Sequence, residues 1–508
     1  MFNNALYNLF LGYLKILIFT ISSLYITRIL IKYLGTDLYG TTVLFSSFNR
    51  YIGLIVMVIT ASVSRFVSFE YFKNNLKEAN KYYSTAFYSL LIGAFFIFVL
   101  FLILSLYIEN IFNLPLEYIE DIKIFFLFSV LSFLLMSISS IFNIGMTIKH
   151  RFYINDAINI FAKLIQLLFI IVLIYFFHIF SLFSYAISIL LFSIIVLLSG
   201  YFISKKIIEL EIKIAYFNFL NLIEMSKMGF ASLFNNLGML LYTSSDIIII
   251  NILLGASYVG DYGIALQISF LIPMIGATFS RIFTPYITEL ISKNRRKKLI
   301  NSLQSYSHIF SVIIGLIFSI IVVFSSHILY FWLGSKYQYL YLLIILLSIY
   351  QLLHQSTVLA FTYITMMNKL KLPSIITFIA GLVNIILSIF LIKYTNLEIY
   401  GAVVATIITV FLKTVIFNVI YASFLMKINP LTLWFPIIKG LSLPILYSIV
   451  MYIYISSLSI SSIWILLGII FIFSVIYLSI AYFIIFSKNN KIKFILLFKL
   501  NKLLRVFR

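Results

Sequence analysis

Runs of twenty or more apolar residues, separated by short polar breaks, fill this chain from end to end. A helix needs roughly 20 such residues to cross about 30 Å of hydrocarbon. Inside that layer every backbone N–H and C=O must be satisfied without water, which leaves helices and closed barrels as the spanning structures. Barrel strands read as alternating segments of roughly ten residues, and these runs do not alternate. Composition closes the soluble option. Of 508 residues, 63% are hydrophobic and 10% charged, against about a quarter charged in an ordinary soluble domain. The expected fold class is an all-α membrane protein.

About fourteen transmembrane helices are expected, near 5–34, 39–64, 83–108, 123–147, 154–177, 180–203, 226–254, 260–284, 304–328, 338–366, 373–393, 401–425, 435–455 and 462–486. The first is too long for a signal peptide and lacks a small-residue cleavage site, so it reads as a retained helix. Charge orients the spans. With the N-terminus in the cytoplasm, Arg65, Lys73, Lys77, Lys149, Arg151, Lys205, Lys206 and the basic run 295–298 all fall on the inner side. The opposite loops hold Lys32, Lys123, Lys336 and Lys393 beside Glu109, Glu117, Glu120 and Asp121. Basic residues concentrate in cytoplasmic loops, so both termini are expected inside. The net charge of +21 is then topological and does not call for a nucleic-acid partner.

The longest inner break suggests the organisation: a six-helix lobe over 1–203, a cytoplasmic linker over 204–225, a second six-helix lobe over 226–425, a final helix pair over 426–487 and a basic cytoplasmic tail over 488–508. The tail reads equally as an amphipathic helix on the inner leaflet and as a plain positive-inside tail. The two halves share a loose grammar. Their first hairpins turn at Leu34-Gly35 and Leu254-Gly255, and the return helices end in Ser64-Arg65 and Ser280-Arg281. Transporters are often built from such repeats, with the site between them.

No catalytic motif stands out. There is no cysteine, and the five histidines show no metal-ligand spacing, so neither a thiolate site nor a metal is expected. No nucleophile, carboxylate pair or phosphate loop suggests an enzyme, and no cofactor is implied. The informative residues are charges at membrane depth. These are expensive and usually face the bundle interior, where they often work. Seven basic residues lie within spans, Lys15, Arg28, Arg50, Lys163, Arg281, Lys413 and Lys439, against one clear acid, Asp246. An excess of cations suits an anionic substrate. Arg50 and Lys413, near mid-depth, are the first candidates to touch it. Lys15, Lys163, Arg28 and Arg281 are further candidates, Arg281 at the inner mouth, where snorkelling serves as well, while Lys439 snorkels.

Helical spacing groups polar residues on single faces. Asn4, Asn8, Lys15 and Ser22 share one face. Asp156, Asn159, Lys163 and Gln166 share another, as do Asn235, Tyr242 and Asp246, and Gln351, His354, Gln355 and Thr362. Such stripes would line a hydrated cavity. At 1.5 Å per residue, Arg28 and Asp246 lie about 9 and 14 Å below the outer loops. That level allows a gate pair, a proton or sodium site at Asp246, or a salt bridge that only holds helices. Pro273 and Gly276 would kink the eighth span.

Three segments resemble a known family. The stretch from Ile26-Thr-Arg to Asp37-Leu-Tyr-Gly40 looks like the first hairpin of bacterial polysaccharide flippases. So does Asp246 to Gly255 followed by Tyr258-Val-Gly-Asp-Tyr-Gly263, and Gly381-Leu-Val-Asn-Ile-Ile-Leu-Ser388 with Glu398 to Thr406 is similar to their eleventh and twelfth spans. The chain resembles the O-antigen (Wzx-type) branch of the multidrug/oligosaccharidyl-lipid/polysaccharide (MOP) superfamily. That resemblance implies a flippase of the bacterial inner membrane, moving an undecaprenyl-diphosphate-linked oligosaccharide between leaflets by alternating access of two lobes. It implies lipopolysaccharide, O-antigen or capsule synthesis, coupling to Na+ or H+ with Asp246 in that role, membrane lipids and the lipid-linked oligosaccharide as partners, and polymerase machinery nearby. Asn384, inside the third segment, joins Asn8, Asn159, Asn235, Gln351 and Gln355 as a cavity-lining candidate. A multidrug-exporter-like carrier is the nearest alternative, and a membrane polysaccharide polymerase a more distant one. The exporter would need more membrane acids, and the polymerase a larger outer loop.

Overall fold

The computed structural model describes residues 2–456, 460–487 and 490–491. Among them there are helices and turns but no strand. Twelve helices are long and apolar enough to cross a membrane, and a bent pair makes a thirteenth span. The first of them, Phe10–Phe72, has 63 residues, about 95 Å of helix, or roughly three hydrocarbon thicknesses. It is two spans. Gly35 lies inside it at φ 82°, ψ 174° and breaks the helix. With that division the expected fourteen spans are present.

We number them α1 (2–34), α2 (36–72), α3 (Leu76–Leu106), α4 (Ile119–Ile148), α5 (Phe152–Tyr175) and α6 (Leu182–Ile207). Then come α7 (Phe219–Thr243 and Ser245–Leu254), α8 (Ala256–Ser269 and Leu271–Ser292), α9 (Arg296–Leu333) and α10 (Tyr341–Ser356 and Val358–Met366). The last four are α11 (Lys371–Tyr394), α12 (Ile399–Val410, continuing to Met426), α13 (Leu431–Ser456) and α14 (Ile463–Ile480). The basic tail lies outside the described residues apart from Asn490 and Lys491.

The hairpin turns follow from backbone geometry. Gly35, Gly255 and Gly334 have φ of 82°, 102° and 96° with ψ near 174°, 178° and 172°. Only glycine adopts that region readily. All three follow a leucine, Leu34, Leu254 and Leu333. The third repeats a turn that sequence comparison of the two halves had found twice.

The residues form two compact units, Met1–Gly263 and Ile264–Arg508. The first reaches beyond 1–203 because α7 is tied to α2: Ser62 Oγ donates to the Met225 carbonyl at 2.9 Å. The segment expected as a linker is tied down as well. Asn80 Oδ1 accepts from the Glu211 amide, Ser84 Oγ accepts from that of Lys213, and Thr85 Oγ1 accepts from that of Asn218. It is a strap on α3. Glu211 also raises the pKa of the solvent-exposed Lys213 through their 2.6 Å ion pair.

Two close approaches set helix positions in the first unit. A Cβ on Gly40 of α2 would stand 1.9 Å from the Ala256 carbonyl oxygen, and one on Gly260 of α8 would stand 2.4 Å from that of Thr36. Small residues let helix backbones meet this closely in a membrane. Asn113 and Asn251 clasp the α3–α4 loop to the end of α7. Asn113 Nδ2 donates to the carbonyls of Asn251 and Ile252, and Asn251 exchanges side-chain bonds with the Asn113 backbone. In the second unit α8 bends by 42° between Ser269 and Leu271. Pro273 has no N–H for the Ser269 carbonyl, which accounts for the break. The final pair α13–α14 packs on α9 through Val312, Phe324, Tyr447, Phe473 and Tyr477.

Candidate functional site

In the first unit the site forms where α7 breaks. Thr243 and Ser245 return their hydroxyls to the carbonyls of Met239 and Leu241, a habit that bends helices. Between them Ser244 leaves helical geometry at φ −128°. The break creates a new helix N-terminus at mid-membrane with Asp246 in its first turn, where the helix dipole favours a carboxylate. Asp246 is 1% exposed, and the Tyr262 hydroxyl of α8 donates to its Oδ2 at 3.2 Å. Arg50 of α2 donates through Nη1 to Ser244 Oγ at 3.1 Å. Tyr51 lies close enough to feel both the Asp246 and Arg50 charges. Discontinuous helices of this kind mark transporter sites for ions and charged groups.

Of the arrangements that matched depth allows, a direct Arg28–Asp246 pair is not formed. Rise along a helix gives depth, not the face on which a side chain stands. Arg28 is on the exposed face of α1, in a pocket with Tyr25, Lys32, Tyr33 and Tyr175.

Nearer the other end of this unit, Lys15 forms a 3.0 Å ion pair with Asp156 of α5. Sequence reading had put both on polar stripes without pairing them. Asn8 accepts from the Tyr153 amide at 2.7 Å and donates to the His150 carbonyl at 3.2 Å, so its side chain fastens the α4–α5 turn. Asn159 donates to Asn155 within α5. Lys163 donates to Gln166 Oε1 at 2.9 Å, and Gln166 passes a bond to Ser188 of α6. The Lys163 ammonium also lies 5.6 and 5.9 Å from the rings of Phe19 and Phe192, a favourable seat for a desolvated cation.

In the second unit a polar layer joins α10, α11 and α12. α12 loosens into a π-helical stretch, Phe411–Asn418, a form that recurs at functional sites. It carries Lys413 into the interior, 6% exposed, with its ammonium 5.1 Å from the Phe361 ring. His354 lies within reach of that charge. Gln355 meets the His354 ring at 3.1 Å, and Gln351 donates to the Tyr350 hydroxyl at 2.5 Å. Asn384, fully buried, donates to Thr406 and Thr409. Gln355 Oε1 also covers Gly276, where a Cβ would come within 2.0 Å. The side chains of Asn235 and Arg281 lie outside the described set.

The structure thus gathers Arg50 and Asp246 in one unit and Lys413, Gln351 and Gln355 in the other. Sequence reasoning passed over Ser244 and Tyr262. The visible signal was Thr243-Ser-Ser-Asp246, a polar run inside an apolar helix. Among the described residues no group of three His, Cys, Asp or Glu is placed to hold a metal.

A family model described as "Polysaccharide biosynthesis protein" matches residues 55–341, more than half of the chain. The chain belongs to this family. A relative, "Uncharacterized membrane protein EpsK" of Bacillus subtilis (strain 168), is 25% identical over 409 residues, covering 79% of each chain. The fold is shared with "Lipid II flippase MurJ, inward closed conformation", at a TM-score of 0.67 and 16% identity over 95% of this chain and 99% of that one. It is shared too with an inward-facing "multidrug resistance MATE family transporter of the MOP superfamily", at 0.65 and 14% over 80% and 96%. The family member described here is a multi-pass membrane protein that shares its fold with these two proteins.

Proposed function

We propose that this protein is a flippase, not an enzyme, that carries an undecaprenyl-diphosphate-linked oligosaccharide from the inner to the outer leaflet of the bacterial inner membrane. In this reading both termini are cytoplasmic and the Gly35, Gly255 and Gly334 turns face outward. The six-helix lobes over 1–203 and 226–425 alternate access. Arg50, Lys413, Lys163, Lys15 and Arg281 supply positive charge for the diphosphate, while polar side chains meet sugar hydroxyls. Asp246 takes the coupling H+ or Na+, and a polymerase uses the product.

The observation that carries the reading is the set of cations inside the spans of a polysaccharide biosynthesis protein. Lys413 and Lys163 are held within apolar helices by rings and amides, and Arg50 stands at a helix break. Such placements are costly and are kept where an anion uses them. The MATE likeness supports a drug exporter as the second reading, since the fold serves both. Cells lacking the protein separate the two. The flippase reading expects lipid-linked oligosaccharide to accumulate and surface polysaccharide to fall. Normal polysaccharide with altered drug tolerance would move the assignment to an exporter.

A further inference from the structure

The Arg28 pocket is built from two helices and has no part in the α7 site. Arg28, Lys32, Tyr25, Tyr33 and Ile29 come from α1, and Ile174 and Tyr175 from α5, around a half-open cavity of about 210 Å³. The Tyr25 and Tyr175 hydroxyls share a hydrogen bond, joining α1 to α5 at the pocket. The Lys32 ammonium lies 5.3 Å from the Tyr33 ring, and Tyr33 packs edge-on against Phe180. Two cations one helical turn apart therefore share a cavity framed by tyrosines, and rings of this kind gather at membrane interfaces.

The same face of α1 continues past the pocket. Leu17, Ile21 and Tyr25 are exposed at intervals of four, and Arg28 and Lys32 extend the stripe. From Arg28 to Leu17 is eleven residues, about 16 Å, close to half of the hydrocarbon thickness of about 30 Å. The stripe is thus cationic where a lipid headgroup lies and apolar for the length of one acyl chain.

We infer that this groove binds one anionic glycerophospholipid, with its phosphate between Arg28 and Lys32 and one chain along Ile21 and Leu17. The cavity is smaller than the roughly 300–1,000 Å³ of drug-sized ligand sites, so it takes a glycerol phosphate head and not an oligosaccharide. Phosphate accepts hydrogen bonds from a guanidinium as well as from tyrosine hydroxyls, and basic pockets between spans bind phosphate headgroups. The leaflet follows from the proposed orientation and is the outer one, but binding itself does not depend on transport.

The test is native mass spectrometry of the purified full chain, titrated with phosphatidylglycerol, phosphatidylcholine, glycerol phosphate and undecaprenyl phosphate. One phosphatidylglycerol per chain should be retained in preference to phosphatidylcholine, and glycerol phosphate should not compete. At about 1 kcal/mol per cation, Arg28→Gln or Lys32→Gln should weaken retention about fivefold, and the double variant about thirtyfold. Arg28→Lys should keep most of it, and Lys393→Gln, a cation outside the pocket, should keep all of it. A thermal melt of each variant shows whether it is folded. Unchanged retention in a folded double variant overturns the inference, as does equal retention of phosphatidylcholine. Stronger competition by undecaprenyl phosphate would assign the groove to the transported lipid and overturn it too. Lipid retention by a wild-type protein that flips no lipid-linked oligosaccharide would count against the flippase reading alone.

Discussion

Replacing Gly40 by alanine should destabilise the protein at a single helix crossing. The new Cβ would stand 1.9 Å from the Ala256 carbonyl oxygen and 2.7 Å from the Gly260 nitrogen. Both are backbone atoms and cannot swing aside. Ordinary contact begins near 3.4 Å, so α2 and α8 must part by about 1.5 Å at the crossing, which removes close packing along both. Overpacking typically costs about 1–3 kcal/mol, and a backbone clash of this depth belongs at about 3 kcal/mol. Gly260→Ala meets the Thr36 carbonyl oxygen at 2.4 Å and needs a smaller separation at the same crossing. The double variant should therefore cost little more than Gly40→Ala alone, because one displacement relieves both clashes. Gly93→Ala is the control. Nothing lies within 4 Å of its Cβ, and alanine favours the helix by about 0.5–1 kcal/mol. Thermal unfolding of detergent-solubilised protein, followed by circular dichroism, reads all four. A Gly40→Ala midpoint at or above wild type, or fully additive losses in the double variant, would refute the packing argument.

Other consequences follow from the site and the clasp. Arg50→Ala and Lys413→Ala should each slow flipping about tenfold or more, as expected when a charge-assisted hydrogen bond of about 1.5–3 kcal/mol is lost; single-turnover flipping by each inserted variant checks this. Asp246→Asn keeps an oxygen for the Tyr262 hydroxyl and so should fold, yet its flipping should no longer respond to an ion gradient. Asn113→Ala removes the bonds that Asn113 Nδ2 donates to the carbonyls of Asn251 and Ile252, which should cost about 1–3 kcal/mol in the same thermal assay.

Much of the fold was legible because hydrocarbon imposes a length on every helix. The apolar runs gave all fourteen spans, and Leu34-Gly35 and Leu254-Gly255 marked turns that glycine alone makes easily. Relations between helices were less legible. Lys15 and Asp156 both stood on polar stripes, but nothing in a linear sequence brings α1 beside α5. Arg28 and Asp246 matched in depth and failed to meet, because azimuth around a helix depends on packing. Gly40 and Gly260 look like ordinary loop-edge glycines until the two backbones are seen in contact. The α12 π-helix left no sequence mark, although Lys413 itself did.

The central claim is tested most directly by reconstituting the protein in liposomes with a lipid-linked oligosaccharide from its host and adding a membrane-impermeant sugar-modifying enzyme outside. Flipping predicts protein-dependent modification of the lipid that began on the inner leaflet, faster under an imposed ion gradient. Modification that stops at the initially exposed fraction, with or without the protein, would contradict the account.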